Sequence, residues 1–487
     1  MSDTASLSPA RRAFLWASAG RYLVMAINLL SALIMARLLT PADYGVSVLG
    51  GAVLAIAEAI RALGGGTYLI QKAELAPESI RSTFTVSVCA TLALASAMLL
   101  SGPLVRSIGM SDLGRYLPVA ALGYLTGPFV YTVMALMSRA LAFGAIARIG
   151  VASTAVNALA GISLAWLGFG YMSFAWAGVA SAVAALVLYL VAWRDLSIFR
   201  PSLRDVRGVV GFGVYDGATA LLWQVGEMVP YFILGRLLDT AAVGLAQRAV
   251  LLCLFPERVI LAGVGAVALP AFSQEMRGGK QLKEAYLRAT TLITAALWPA
   301  LIVLGLLAGP VVAVLLGPQW REVAPLVQIL TASLVLSFPA CLQYPVLVAS
   351  GRIRLMPPIV VAQTVFSIGI LTAATRHGLH AAALSMLFVV PMNGLSALLL
   401  ARLAAGFRWP ELAQALGKSL ACAALAAAGP VLAIWFGHAR ITLLEAMLAG
   451  MLALAGWSAG LALTRHPLLT EIGALTDAMR RRFAGAK

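Results

Sequence analysis

The sequence predicts an all-α polytopic membrane protein of about 14 transmembrane helices, arranged as two six-helix lobes that are parallel repeats, plus two C-terminal helices. Three observations predict it. First, 61% of the 487 residues are hydrophobic and only 11% are charged, whereas a soluble domain carries about 25% charged residues. Second, apolar runs of about 20 residues, enough to cross a hydrocarbon core of ~30 Å, recur along the whole chain; a β-barrel needs short alternating segments instead. Third, the stretch from Phe14 to Gln71 returns, without gaps, 199 positions later at Gly213 to Pro270. Arg37-Leu38-Leu39 then meets Arg236-Leu237-Leu238, Ala42 meets Ala241 and Gly45 meets Gly244. Glu58 meets Glu257, while Gly64 and Gly66 meet Gly263 and Gly265. An acid inside an apolar span is rare, so the Glu58–Glu257 match weighs most.

The N-terminus, Met1 to Arg12, is polar, and the run Phe14 to Ala36 that follows is of full span length with no small-residue cleavage site behind it. It reads as a retained first helix. The expected spans are 14–36, 44–66, 82–105, 117–138, 149–169, 171–193, 210–235, 241–265, 288–316, 323–350, 355–375, 378–401, 414–436 and 441–463. The shortest connection falls at Gly168-Phe169-Gly170. With the N-terminus inside, most of the 35 Lys and Arg fall on inner segments, among them Arg200, Arg204 and Arg207, Arg277 to Arg288, and the tail Arg480-Arg481-Arg482. That places both termini in the cytoplasm. Much of the net charge of +16 is thus a topology signal that also favours anionic headgroups, and no segment is soluble enough to be a nucleic-acid-binding domain. The expected division is 1–203 for the first lobe, 204–403 for the second, and 404–487 for two extra helices and a basic tail. Arg194 to Arg207, with Pro201, is the linker.

Between the first two spans, Thr40-Pro41-Ala42-Asp43 reads as a helix start, with Thr40 as cap and Pro41 in the first turn. A structural role for Arg37 and Asp43 follows from that alone. The charges well inside spans are Arg21, Glu58, Arg61, Asp216, Glu227, Arg248, Glu257 and Arg258, each costing about 2.5–3.5 kcal/mol at the bilayer centre. All lie in spans one, two, seven and eight, which predicts a polar cavity lined by those four. Arg21 and Asn28 share a helix face, Glu58 and Arg61 are an i, i+3 pair, and Gln224 and Gln247 lie on the charged stretches. The arginines offer fixed, bidentate donors to a diphosphate. Alternatively, Arg61 and Glu58 merely neutralise each other. Gly64-Gly65-Gly66, Gly263 and Gly265 permit bending, and Pro230 and Pro256 are candidate kinks.

Enzyme chemistry is poorly supported. His377, His380, His438 and His466 sit at span ends or in loops, no Walker loop is present, and Cys89, Cys253, Cys341 and Cys422 are widely spaced in apolar runs, as buried small hydrophobes would be.

The run Arg37-Leu-Leu-Thr-Pro-Ala-Asp-Tyr-Gly45, followed by Glu58, Leu63-Gly64 and Leu69-Ile70-Gln71, resembles the N-terminal signature of the polysaccharide-transport family. These are oligosaccharide flippases of the multidrug/oligosaccharidyl-lipid/polysaccharide (MOP) exporter superfamily. The resemblance implies a MOP/MATE-like fold, alternating access, and an undecaprenyl-diphosphate-linked oligosaccharide carried from the inner to the outer leaflet of the bacterial cytoplasmic membrane for exopolysaccharide, O-antigen or capsule assembly. Expected substrate residues are Arg21, Asn28, Arg61, Gln224, Gln247, Arg248 and Arg258. Expected ion-coupling residues are Glu58, Asp216, Glu227 and Glu257, for H⁺ or Na⁺, with no resident cofactor or metal. The expected partners are the lipid-linked oligosaccharide, membrane lipids, and a polymerase and other assembly proteins. The competing readings are a peptidoglycan lipid-precursor flippase and a MATE-like drug or cation antiporter. A membrane glycosyltransferase would need large outer loops, and the loops here are short.

Overall fold

A computed structural model of the protein describes residues 9–61, 66–72, 74–107, 109–277, 282–436, 442–471 and 473. Among them every regular element is helical. The chain falls into two compact units, Met1–Gly244 and Leu245–Lys487.

The first unit holds α1 (Pro9–Leu38), α2 (Pro41–Arg61), α3 (Gly66–Gln71), α4 (Pro77–Ser107), α5 (Ser111–Tyr124), α6 (Gly127–Arg139), α7 (Phe143–Trp166), α8 (Met172–Ala192), α9 (Val206–Leu237) and the first turn of α10 (Thr240–Arg277). The start of α2 is a reciprocal cap. Thr40 Oγ1 accepts the Asp43 amide at 3.2 Å, and Asp43 Oδ2 accepts the Thr40 amide at 3.1 Å and the Thr40 hydroxyl at 2.6 Å. Two of the amides that a helix start leaves unpaired are thereby satisfied. The same turn recurs 199 residues on, where Asp239 Oδ1 accepts the Ala242 amide at 2.7 Å and caps α10. Asp43 has a second duty. Its Oδ1 accepts the Tyr171 amide at 2.9 Å, at a tight turn where Gly168 and Gly170 take φ +85° and +56°. This turn separates α7 from α8, and only glycine adopts such φ values without strain.

Elsewhere the chain departs from the expected straight spans. The span expected at 117–138 is a bent pair, α5 and α6, which meet at 44°. The bend follows Gly123, and Gly127-Pro128 restarts the helix with proline in its first turn. The span expected at 323–350 is likewise interrupted at residues 338–340, a 3₁₀ turn containing Pro339. Eleven helical stretches among the described residues are long and apolar enough to cross a membrane, or 12 with the α5–α6 pair. α9 and α10 are 32 and 38 residues long. The hinge glycines Gly64 and Gly65 lie outside the described residues, as do Lys280, His438, Arg440 and the basic tail.

The linker after α8 is tied down along its length. Phe199 packs on Phe84 and Phe129, with ring centroids 5.1 and 5.2 Å away. The Ser202 amide donates to Thr85 Oγ1 at 2.9 Å, and the Asp205 amide to Ser82 Oγ at 3.1 Å. Asp205 then gathers three donors: Lys72 Nζ at 2.7 Å, Ser79 Oγ at 2.6 Å and the Tyr68 hydroxyl at 2.8 Å. Those hydrogen bonds pull its carboxyl down to about 2 and raise the Lys72 ammonium. The start of α9 is thereby fixed to α3 and α4.

The second unit continues α10 and holds α11 (Leu282–Leu306), α12 (Ala308–Leu315), α13 (Val323–Ser337), α14 (Gln343–Ala349), α15 (Met356–Thr375), α16 (Leu379–Ala405), α17 (Trp409–Phe436) and α18 (Leu443–Leu463). Its core is built on α11, where Tyr286 stacks on Phe407 at 5.2 Å. The two last helices cross at Gly456-x-x-x-Gly460, where an added Cβ would lie 2.2 Å from the Leu425 carbonyl oxygen and 2.8 Å from Cys422 Cα. Such small residues let backbones touch where lipid supplies no hydrophobic drive. Trp457 Nε1 donates to the Ala295 carbonyl at 2.8 Å and Ser419 Oγ to that of Thr291 at 3.0 Å, so α17 and α18 are joined to α11 by polar contacts as well. Of the cysteines, Cys253 and Cys422 are buried and Cys341 is half-buried. Cys89 is exposed on α4, against the expectation of burial, because none of the described residues covers that face.

Candidate functional site

In the first unit, α2 carries its charged pair into the interior of the helix bundle. Glu58 and Arg61 lie one turn apart on one face. Arg61 Nε donates to Glu58 Oε2 at 3.1 Å, while Arg61 Nη2 meets Glu58 Oε1, so both carboxylate oxygens are engaged. The guanidinium also lies over the Tyr131 ring of α6, 3.7 Å from its centroid, and reaches Ser87 Oγ of α4 at 3.5 Å. The Arg61 side chain is 6% exposed and that of Glu58 41%. An arginine so placed is compensated by an acid, a π face and a hydroxyl, which is the condition for holding a charge in a low-dielectric interior.

Beside this pair is a cavity of about 450 Å³, lined from α2, α5, α6, α7 and α8. Glu58, Tyr124, Tyr131 and Asn157 supply polar atoms to its wall, and Tyr116 and Phe174 supply aromatic faces. Tyr124 is held by its hydroxyl, which donates to the Ala57 carbonyl at 2.9 Å. Phe174 is held edge-on by Tyr44, with ring centroids 5.0 Å apart. Sequence spacing brought Glu58 and Arg61 together. It missed Tyr124, Tyr131 and Asn157, which sit on three other helices and have no pattern along the chain. Their signal was weak: one amide in the middle of an apolar helix, and two tyrosines on either side of the bend.

The other expected residues of this unit are placed differently. Arg21 and Asn28 are exposed on α1 and Glu227 on α9, Gln224 is half-buried, and the Asp216 side chain lies outside the described set. In the second unit Arg248 is 6% exposed and lies 5.9 Å from the centroid of Trp320, itself fully buried. Next to it, Gln247 Oε1 is buried without a hydrogen bond among the described residues. Nearly three turns on, Glu257 is half-buried and Arg258 exposed. Among the described residues no three His, Cys, Asp or Glu side chains gather as metal ligands would.

The family described as polysaccharide biosynthesis protein matches residues 34–325, a range that contains α2, the Glu58–Arg61 pair, the cavity and Arg248. The succinoglycan biosynthesis transport protein ExoT of Rhizobium meliloti (strain 1021) is 24% identical over 357 residues, 72% of either chain. The lipopolysaccharide biosynthesis protein WzxC of Escherichia coli (strain K12) is 20% identical over 322 residues, 65% of either chain. Among solved structures, lipid II flippase MurJ in an inward closed conformation superposes with a TM-score of 0.69 at 10% identity, covering 93% of this chain and all of that one. An inward-facing MATE transporter of the MOP superfamily gives 0.61 at 20% identity, covering 79% of this chain and 94% of that one. At these identities the structures establish the fold alone, and that fold is the all-helical, multi-pass MOP type expected from the sequence. With the match running over more than half of its residues, the chain belongs to the polysaccharide biosynthesis protein family.

Proposed function

We propose that this chain is a flippase. It moves an undecaprenyl-diphosphate-linked oligosaccharide repeat unit from the cytoplasmic to the outer leaflet of a bacterial inner membrane by alternating access, for exopolysaccharide, O-antigen or capsule assembly. One observation carries the reading: a family named for polysaccharide biosynthesis spans residues 34–325 of a chain that is also 24% identical to a protein named for succinoglycan transport. The reading includes 14 spans with both termini cytoplasmic, lobes at 1–203 and 204–403, and a polymerase as partner. It assigns no chemical step to the chain.

In this reading the diphosphate is met by Arg21, Arg248 and Arg258, with Asn28, Gln224 and Gln247 as neighbouring polar groups. Arg61 is engaged by Glu58 and Tyr131, which themselves line the cavity. H⁺ or Na⁺ coupling falls to Asp216, Glu227 or Glu257, each of which would bias the two states by differential affinity. A cation antiporter would need an uncompensated acid in the cavity, and Glu58 has both oxygens on Arg61. The likeness to MurJ is one of fold, so a peptidoglycan-precursor substrate gains no specific support from it.

The test is deletion in the source bacterium. Loss of surface polysaccharide, with lipid-linked repeat units accumulating on the inner leaflet and rescue by the wild-type gene, is the expected result. Unchanged export in the deletion strain overturns the reading.

A further inference from the structure

We propose that the cavity inside the first unit is a carbohydrate subsite, taking an uncharged pyranose ring of the transported oligosaccharide. The inference rests on the flippase reading above and deepens it.

Three features of the cavity point to that occupant. Its volume, about 450 Å³, falls within the range of roughly 300–1,000 Å³ found for small-molecule sites. Its charge is balanced. Glu58 is the one acid among the described lining residues, and the adjoining Arg61 engages both of its oxygens. A diphosphate therefore meets no unengaged cation here, and a metal ion or organic cation meets a carboxylate already neutralised by a guanidinium. A neutral polyol meets neither difficulty.

The third feature is the chemistry of the wall. Sugar rings present hydroxyls around an equator and C–H groups on their faces. The phenol oxygens of Tyr124 and Tyr131 and the amide of Asn157 supply hydrogen-bonding atoms, and Tyr116 and Phe174 supply apolar faces. Asn157 provides the independent observation. It lies in the middle of α7, in the sequence Ser-Thr-Ala-Val-Asn157-Ala-Leu-Ala, and its amide makes no hydrogen bond among the described residues. An amide at that depth is costly unless something in the cavity pairs with it.

Gly178 supplies the test. It lines the cavity, and a Cβ added there meets nothing within 4 Å. A leucine at this position fills the space without removing a polar group, and it improves helix propensity, so the variant is expected to fold. The full chain in lipid nanodiscs is probed by saturation-transfer NMR with methyl β-D-glucopyranoside and methyl β-D-galactopyranoside. We expect transfer to the ring protons of at least one glycoside, lowered about tenfold by Gly178→Leu and likewise by Asn157→Leu. Absence of transfer to either glycoside with wild type, or transfer unaffected by Gly178→Leu, overturns the subsite. A parallel flipping assay in proteoliposomes uses undecaprenyl-diphosphate-linked glucose. No movement by wild type sinks the flippase reading, whereas equal movement by wild type and Gly178→Leu sinks only the subsite.

Discussion

Gly45 of α2 and Gly244 of α10 occupy matching places in a reciprocal helix crossing. A Cβ on Gly45 would lie 1.6 Å from the carbonyl oxygen of Thr240, and one on Gly244 would lie 2.0 Å from that of Pro41. Thr240 stands 199 residues after Pro41, and Gly244 stands 199 after Gly45, so each helix start touches the same point of the other. Because the obstructing atoms are backbone, no rotamer change relieves the clash. Gly45→Ala or Gly244→Ala should cost about 3 kcal/mol or more, beyond ordinary overpacking, and be seen as poor accumulation and a lowered Tm in detergent. Gly51→Ala, on α2 with nothing within 4 Å of its Cβ, is the control. It should be neutral or stabilising by about 0.5–1 kcal/mol. Wild-type Tm in Gly45→Ala contradicts the crossing.

Asp205 gives a pH-linked prediction outside the membrane. Its carboxyl is pulled from 3.8 to about 2, first by Lys72 and then by Ser79 and Tyr68. Because the folded value lies below the unfolded one, the stabilisation is fully present above pH ~4 and is lost as pH falls from there through about 2. The side chains of Lys72 and Asp205 are 30% and 26% exposed, so solvent screens the pair. Asp205→Asn should lower Tm by about 2–4 °C at pH 7, with the gap to wild type closing only at strongly acid pH. An equal gap at pH 7 and pH 3 would assign the loss to packing.

These two results separate what was legible in the chain from what was not. The cap at Thr40 and Asp43 is local, and sequence showed it. The 199-residue offset also paired Gly45 with Gly244, whereas the second cap, at Asp239, emerges only from the structure. The pairing of Glu58 with Arg61 follows from i, i+3 spacing on one helix. By contrast, Tyr131 and Ser87 reach Arg61 from α6 and α4, and Asn157 reaches the cavity from α7. Tertiary packing alone decides such meetings. The α5–α6 bend was foreshadowed by Gly123, Gly127 and Pro128, but a hydropathy run does not register a kink.

The Glu58–Arg61 pair should behave as a unit. Glu58→Gln leaves a guanidinium inside the bundle beside Tyr131 and Ser87, without its carboxylate partner. Removing one partner of a fully buried pair costs about 3–5 kcal/mol, and because Glu58 is 41% exposed, about 1–2 kcal/mol is the expected loss here. Adding Arg61→Gln should recover part of it, with a coupling of about 1 kcal/mol in a double-mutant cycle on thermal unfolding. The doubly substituted protein should keep the pH profile of transport, because a carboxylate held on both oxygens by Arg61 is poorly placed to carry a proton in each cycle. A flattened profile would return Glu58 to the coupling residues.

Arg248 provides the sharpest test of the proposed diphosphate contact. It is buried with its guanidinium carbon 5.9 Å from the Trp320 ring centroid, a cation–π contact from a planar fork of donors. Lysine keeps the charge but loses the fork. Arg248→Lys should therefore lower transport of a lipid diphosphate by about tenfold, and Arg248→Ala by about a hundredfold or more, with membrane accumulation near wild type for Arg248→Lys. Trp320→Leu, which removes the ring and leaves the arginine, should fall between wild type and Arg248→Lys. Reading flipping rates against protein level in the same membranes separates a binding role from a folding one. If Arg248→Lys transports like wild type while Arg248→Ala fails to accumulate, Arg248 is a packing element of the second unit, and the diphosphate contact passes to Arg21 and Arg258.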